Sequence, residues 1–310
     1  MNKGESYRLQ GKFEEALTNL NKSLEIKPDD ADALKNRGET YRMMNKNVES
    51  LADLNNALEI YPNDAWALSC RGETYCSMNK YEESLTDLNK SLEIDPNDVF
   101  ALSYRGITYL RLKKYEESLS DLNKALEFDP NDAFVLMNKG EIYRLQSKYE
   151  EALANFNKSL EINPDDADAL KYRGETYRMM NKNAESLADL NNALEIYPND
   201  AWALGSRGEA YRLMSKYEES LTDFNKALEI DPNKVFALRC RGNTYYEMEK
   251  YEKSLSDLNK ALEIDPNDAW TLNKRGETYY KMKKYEESYA DFGKALDIDP
   301  EYVATNDGYK

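Results

Sequence analysis

Apolar residues along this chain recur on two nested scales, and the shorter one predicts helices. In the stretch 65–98, Ala67, Leu68, Gly72 and Tyr75 return at near-helical spacing and mark one face of a first helix. Asp64, which follows Pro62-Asn63, supplies an N-cap for it, because its carboxylate can take a free backbone N–H. Asn79-Lys80 breaks this helix, since Asn tolerates the left-handed turn. A second helix opens at Glu82-Glu83, where the dipole favours acid, and is expected to close near Lys90, where it favours base. Leu85, Leu88 and Leu92 form its apolar stripe, and Pro96 stops it.

The longer scale is a 34-residue lattice. All nine prolines fall on it: Pro28, Pro62, Pro96, Pro130, Pro164, Pro198, Pro232, Pro266 and Pro300. Gly4, Gly38, Gly72, Gly106, Gly140, Gly174, Gly208, Gly242 and Gly276 share the period, each followed three residues later by a tyrosine. Nine helical pairs, or eighteen helices, are therefore expected. Gly72 and Ser84 are small where the two helices of a pair must approach closely. One such pair buries too little apolar surface to stand alone, so neighbours must stack.

The unit resembles the tetratricopeptide repeat. Leu68 takes the first large apolar position, Gly72 and Tyr75 match the Gly and Tyr, Ser84 stands where Ala is usual, Leu88 where Phe is usual, and Pro96 is the closing Pro. Arg71 and its equivalents depart from the pattern at a place that is commonly Leu. The resemblance covers residues 1–302 as a single array: a shortened first unit at 1–30, then units beginning at 31, 65, 99, 133, 167, 201, 235 and 269, with a tail at 303–310. It implies an all-α fold, a right-handed α-α superhelical solenoid of about one turn, with the first helices lining the concave side. It also implies a non-enzymatic scaffold that binds a peptide or partner segment in that groove.

Composition narrows the function. Lys and Arg number 42 against 58 Asp and Glu, a net charge of −16, which argues against binding phosphate backbones or anionic membranes. The chain has no histidine, so Ser-His-Asp, Cys-His and His-ligated metal chemistry are excluded. The three cysteines (Cys70, Cys76 and Cys240) are sparse and suit a reducing compartment. The polar start and the lack of a long apolar run lead to the expectation of a cytoplasmic protein with no signal peptide and no membrane span. No cofactor or metal is expected. Asp29, Asp30 and Asp32 lack the Gly and closing Glu of a calcium loop and read as helix caps. Cys70 and Cys76 lie six residues apart, hence on different helix faces, with no nearby base.

Differences between units carry the rest. Shifted by 136 residues, residues 1–132 match 137–268 at 106 positions, which points to duplication of a four-unit block. Seven units with Arg before the glycine (Arg37, Arg71, Arg105, Arg173, Arg207, Arg241 and Arg275) carry Asp sixteen residues later; the two with Lys, Lys3 and Lys139, carry Asn19 and Asn155. This covariation predicts a partly buried Arg–Asp bond in each unit. The third and fourth units differ from the seventh and eighth at eighteen sites, half of them at first-helix positions 5, 6, 9, 12 and 13. These include Cys70/Ser206, Cys76/Arg212, Ile107/Asn243 and Arg111/Glu247, and they predict that the groove changed while the scaffold was copied.

The candidate groove residues follow from those positions. Trp66, Phe100, Phe134, Trp202, Phe236 and Trp270, at position 2, are either anchors for apolar or cationic groups or packing beneath neighbouring loops. Glu5, Glu39, Glu73, Glu141, Glu175, Glu209 and Glu277 recur at position 9, with Arg8, Arg42, Arg144, Arg178 and Arg212 one turn on. Such i, i+3 pairs read equally as binding groups or as solvated pairs that steady a helix. Arg239 with Asn243 is the one fragment resembling the family's carboxylate clamp, and Tyr246 adjoins it. Because Glu stands at most clamp positions, no binding to the acidic C-termini of the Hsp70 and Hsp90 chaperones is expected. The partner expected instead is a protein or peptide that is basic or aromatic-seeking. The ends lack an amphipathic cap, which raises a second reading: a structural array, or the repeat arm of a larger protein, with end-to-end self-association.

Overall fold

A computed structural model describes residues 3–300, and the described residues hold eighteen α-helices. They divide into two compact units, residues 3–151 and 152–300. In the first, α1 (Lys3–Leu9), α2 (Phe13–Ile26), α3 (Ala31–Met43), α4 (Asn47–Ile60), α5 (Ala65–Ser77), α6 (Tyr81–Ile94), α7 (Val99–Arg111), α8 (Tyr115–Phe128) and α9 (Ala133–Leu145) alternate as first and second helices. Helix α10 (Tyr149–Ile162) contains the boundary. The second unit continues with α11 (Ala167–Met179), α12 (Asn183–Ile196), α13 (Ala201–Leu213), α14 (Tyr217–Ile230), α15 (Val235–Glu247), α16 (Tyr251–Ile264), α17 (Ala269–Lys281) and α18 (Tyr285–Ile298). The fold is an all-α helical repeat, as the resemblance implied. The expectations about the shortened start of the first unit and the 303–310 tail, and with them the end-to-end contact, rest on Met1 and the tail, which lie outside the described residues.

Local rules build each pair. Asp64 accepts a hydrogen bond from the Ala67 N–H at 3.0 Å and so caps α5. Asp30, Asp98, Asp132, Asp166, Asp200 and Asp268 do the same for their own helices, whereas Lys234 leaves α15 without a side-chain cap. Asn79 turns the chain at φ 59°, as expected, but Lys113 and Glu249 hold the same left-handed angle. Those residues have no special tolerance for it, so the packed hairpin imposes the turn. The second helix corrects one expectation: α6 runs past Lys90 to Ile94 and has no base in its last turn. The Lys90 ammonium instead donates to the Pro62 carbonyl of the preceding turn at 2.6 Å, and Lys124 and Lys226 repeat that contact.

Close approach within pairs is real. A Cβ on Gly72 would stand 2.7 Å from Leu88 Cγ, inside any tolerable contact. Ser84, fully buried, does more than stay small: its hydroxyl meets that of Thr108 in the next repeat at 3.0 Å. The Arg–Asp bond is present in all seven repeats. Arg71 donates from Nε and Nη2 to the two Asp87 oxygens at 2.6 and 2.8 Å, and its Nη1 reaches Asn55 of the preceding repeat at 2.8 Å. One guanidinium thus clamps its own hairpin and the helix before it.

Within each unit, among the described residues, the first helices touch one another in succession, while the contacts of the second helices run to first helices. The first-helix side is therefore the closer-spaced, inner side of each unit.

Candidate functional site

The inner faces carry the predicted residues, but their company differs from expectation. The position-9 acids are buried rather than solvated: Glu39, Glu73, Glu141, Glu175 and Glu209 all lie beneath the inner surface. Arg42 grips Glu39 with two bonds of 2.8 Å and sends its remaining arm to Glu73 of the next repeat. Arg8 approaches Glu39 at 3.7 Å from the repeat before, and Arg111 approaches Glu141 at 3.7 Å. The first unit thus has a charge ladder running from repeat to repeat. In the second unit Arg178 holds Glu175 at 2.7–2.8 Å, and Arg212 holds Glu209 while reaching Glu247 of the next repeat. Arg144 is half-buried on the same face of the first unit.

Neighbouring charges set how these carboxyls titrate. Burial alone would raise Glu39, but the Arg42 hydrogen bonds and charge, helped by Cys70 and Arg8, hold it below the ordinary carboxylate value. Burial wins at Glu73 and pushes it up to about 7, against the charge of Arg42 and the nearby Tyr104 hydroxyl, with Glu39 adding repulsion. One Glu73 oxygen, Oε2, has no hydrogen-bond partner. Burial, with Glu73 beside it, also raises the Tyr104 phenol.

The position-2 aromatics Trp66, Phe100, Trp202, Phe236 and Trp270 are partly exposed and lie beside the chain's own cations. Trp66 lies between Arg8 at 5.6 Å and Lys35 at 5.7 Å, and Arg42 lies 5.8 Å from the Phe100 ring. Lys171 sits 5.7 Å from Trp202, while Arg239 stands 5.6 Å from Phe236 and 5.3 Å from Trp270. Phe134 is the most open of the set at 40% exposure.

Arg239, Asn243 and Tyr246 follow one another along α15 in the second unit, each beside an acid or a cation of its own. Arg239 pairs with Asp268 at 3.3 Å, and Asn243 reaches toward Glu247 at 3.5 Å. Tyr246 lies under the Lys274 ammonium at 4.9 Å, and burial together with Glu277 pushes its phenol up to about 12.

Several members of the site were not singled out from sequence. Lys35 and Lys171 bridge to Asp64 and Asp200, the N-caps of the following repeat, at 2.7 and 2.9 Å. Tyr104 links the Phe100 and Phe134 rings at 4.7 and 5.7 Å. Cys70 and Cys76, expected to have no base nearby, both lie near Glu73: Cys70 is buried against Glu39, and Cys76 lies near Thr108 and Arg111. All of these stand at the positions where the duplicated repeats differ or sit beside them, which was the available signal. Among the described residues, no three Cys, Asp or Glu side chains converge as a metal site, and no helix is long and apolar enough to cross a membrane.

Comparisons with known proteins agree with this architecture. Sequence profiles described as "TPR repeat" match residues 4–45, 72–113 and 242–283. Profiles described as "Tetratricopeptide repeat" match 99–132, 133–166, 201–234 and 269–302, and a further one matches 54–86 and 155–188. None of the curated proteins matches the chain in sequence. Among solved structures, a chain of the APC/C hetero-tetramer Cut9-Hcn1 superposes with a TM-score of 0.76 at 18% identity, over 86% of this chain. The present chain spans about half of that one, 52%. A tetratricopeptide repeat protein from Parabacteroides merdae ATCC 43184 is similar with a TM-score of 0.59 at 21% identity, over 80% of this chain and 98% of its own. PilF of Pseudomonas aeruginosa gives 0.61 at 18%, over 70% and 97%. With family profiles matching along most of its length and the buried Gly–Leu and Arg–Asp contacts repeating at their period, the chain belongs to the tetratricopeptide repeat family.

Proposed function

We propose that the chain is a non-enzymatic protein-interaction scaffold that takes a partner segment on the inner, first-helix face of each unit. The observation that carries this reading is the concentration of difference there. The outer lysines and the Arg–Asp clamps are copied between the duplicated blocks, while inner positions are rewritten. A net charge of −16 favours a basic or aromatic-bearing partner and speeds encounter with it, with an advantage that fades as salt screens it. The same field disfavours an acidic C-terminus of the chaperone type. Arg239, the nearest thing to a clamp cation, is already held by Asp268 and two rings. The three free cysteines are compatible with a cytoplasmic setting.

The test is a selection of displayed random peptides on the immobilised full chain, followed by affinity measurement on variants. Trp202→Ala with Trp270→Ala should weaken the selected peptides at least tenfold, while Lys226→Ala on the outer side leaves them unchanged. Equal affinity for the double variant and the parent would overturn the reading.

A further inference from the structure

The inner ladder has an incomplete rung in the third repeat; in the ninth, where Tyr280 takes the arginine's place, Asn273 and Lys274 hold Glu277 instead. Arg42, Arg178 and Arg212 each grip the position-9 glutamate of their own repeat with two hydrogen bonds. In the third repeat that arginine is replaced by Cys76, a short neutral side chain, while the glutamate is kept. Glu73 is 5% exposed, is reached by one arm of Arg42 and lies beside the Tyr104 hydroxyl, and leaves Oε2 without a partner.

Every element around it can be named. From α3 come Arg42 and Glu39, from α1 Arg8 behind Glu39, from α5 Cys70 and Cys76, and from α7 Tyr104 and Arg111. Arg111 does not complete the rung, because it is directed to Glu141. The Phe100–Tyr104–Phe134 ring strip runs from this point to the open surface at Phe134. A carboxylate with an unused oxygen beside such a strip offers a guanidinium both a hydrogen-bonded anion and flat faces to lie on.

We propose that Glu73, with Tyr104 and the adjoining rings, is a receptor for one arginine side chain of a bound peptide, which supplies the guanidinium that Cys76 does not. This deepens the proposed function and rests on it. Entry of the arginine favours the ionised form of Glu73, so binding tightens as pH rises through about 7 and expels the carboxyl proton. Arginine is favoured over lysine because the vacancy is that of a planar fork with two parallel donors.

The experiment titrates the full chain with N-acetyl-arginine amide, with N-acetyl-citrulline amide as the neutral isostere, and follows the Glu73 side-chain carboxyl by 13C NMR. The arginine probe should saturate and lower the apparent pKa of Glu73 by at least one unit, and the citrulline probe should do neither. Cys76→Arg should abolish the response. Cys76→Arg/Arg111→Glu rebuilds the Arg212–Glu247 arrangement and should abolish it as well, without the new repulsion from Arg111. A Glu73 resonance that ignores the arginine probe, or responds equally to citrulline, overturns the proposal. If selected peptides bind the inner face with no arginine requirement and an unmoved Glu73, the subsite falls and the scaffold reading stands. If no peptide binds while the probe still shifts Glu73, the scaffold reading falls and the subsite stands.

Discussion

The third repeat, 65–98, and the seventh, 201–234, are copies that keep the same skeleton and differ at nine positions. In both, a guanidinium clamps an aspartate two ways and an asparagine of the preceding repeat: Arg71 with Asp87 and Asn55, Arg207 with Asp223 and Asn191, all at 2.6–2.8 Å. What differs has changed in groups. Ser69, Ser91 and Asp98 share hydrogen bonds of 2.7 and 3.0 Å around the Ser69 hydroxyl. The seventh repeat has Gly205, Ala227 and Lys234 in their places, so the whole cluster is exchanged for a close approach to the Phe236 ring. Likewise, Cys76 with Arg111 in one copy becomes the ion pair Arg212–Glu247 in the other. Removing one member of a buried polar group strands the others, so such groups tend to change together. Part of what reads as groove variation is therefore internal re-pairing, and Glu73 is where the re-pairing is incomplete.

The comparison can be broken or sharpened by variants, from the largest effect to the smallest. Arg71→Ala strands buried Asp87, and Arg207→Ala strands Asp223; each should cost about 3–5 kcal/mol in denaturant unfolding, equally in the two copies. A marked inequality would mean the skeletons are not equivalent.

The second effect is one of pH. Glu73 has a folded pKa raised to about 7, so the folded chain holds a proton that the unfolded chain has lost between the ordinary carboxylate value and 7. Stability therefore falls as pH rises through that window, by up to about 3 kcal/mol. Glu39, held low, contributes with the opposite sign: its stabilisation is present above the unfolded value and is lost as pH falls through the folded one. Stability curves for the parent and Cys76→Arg should diverge above pH 5, with the neutral-range loss absent in the variant.

Gly72→Ala comes next. Its new methyl would meet Leu88 Cγ at 2.7 Å, whereas on Gly208 the nearest atom is Phe224 Cε1 at 3.0 Å. Overpacking costs about 1–3 kcal/mol and Ala in a helix returns about 1, so Gly72→Ala, with the closer contact, should destabilise by up to about 2 kcal/mol and Gly208→Ala by less. Smallest is Lys234→Asp, which restores the cap that Asp98 gives its own helix and should stabilise by about 1 kcal/mol in thermal unfolding.

The fold was legible because its constraints repeat. The Gly72, Tyr75 and Pro96 positions recur nine times, and the Arg–Asp clamp announced itself where Lys3 and Lys139 switch together with Asn19 and Asn155. The clamp's third arm was not legible: the acceptors Asn55 and Asn89 do not vary among those repeats, and what never changes shows no covariation. The burial of Glu39 and Glu73 was hidden for another reason. An acid opposite a helix's apolar stripe reads as solvated, and only successive first helices closing over it reveal otherwise. The cations over Trp66 and Trp202 were missed because they come from other repeats, at separations no helical pattern displays.

The most direct measurement is a residue-resolved pH titration of the glutamate carboxyls in the ligand-free chain and in Cys76→Arg. The parent should show Glu73 titrating near 7 and Glu39 below the ordinary carboxylate range, and the variant should lose the near-neutral titration. A Glu73 that titrates like an exposed glutamate in both proteins would contradict the incomplete rung and everything inferred from it.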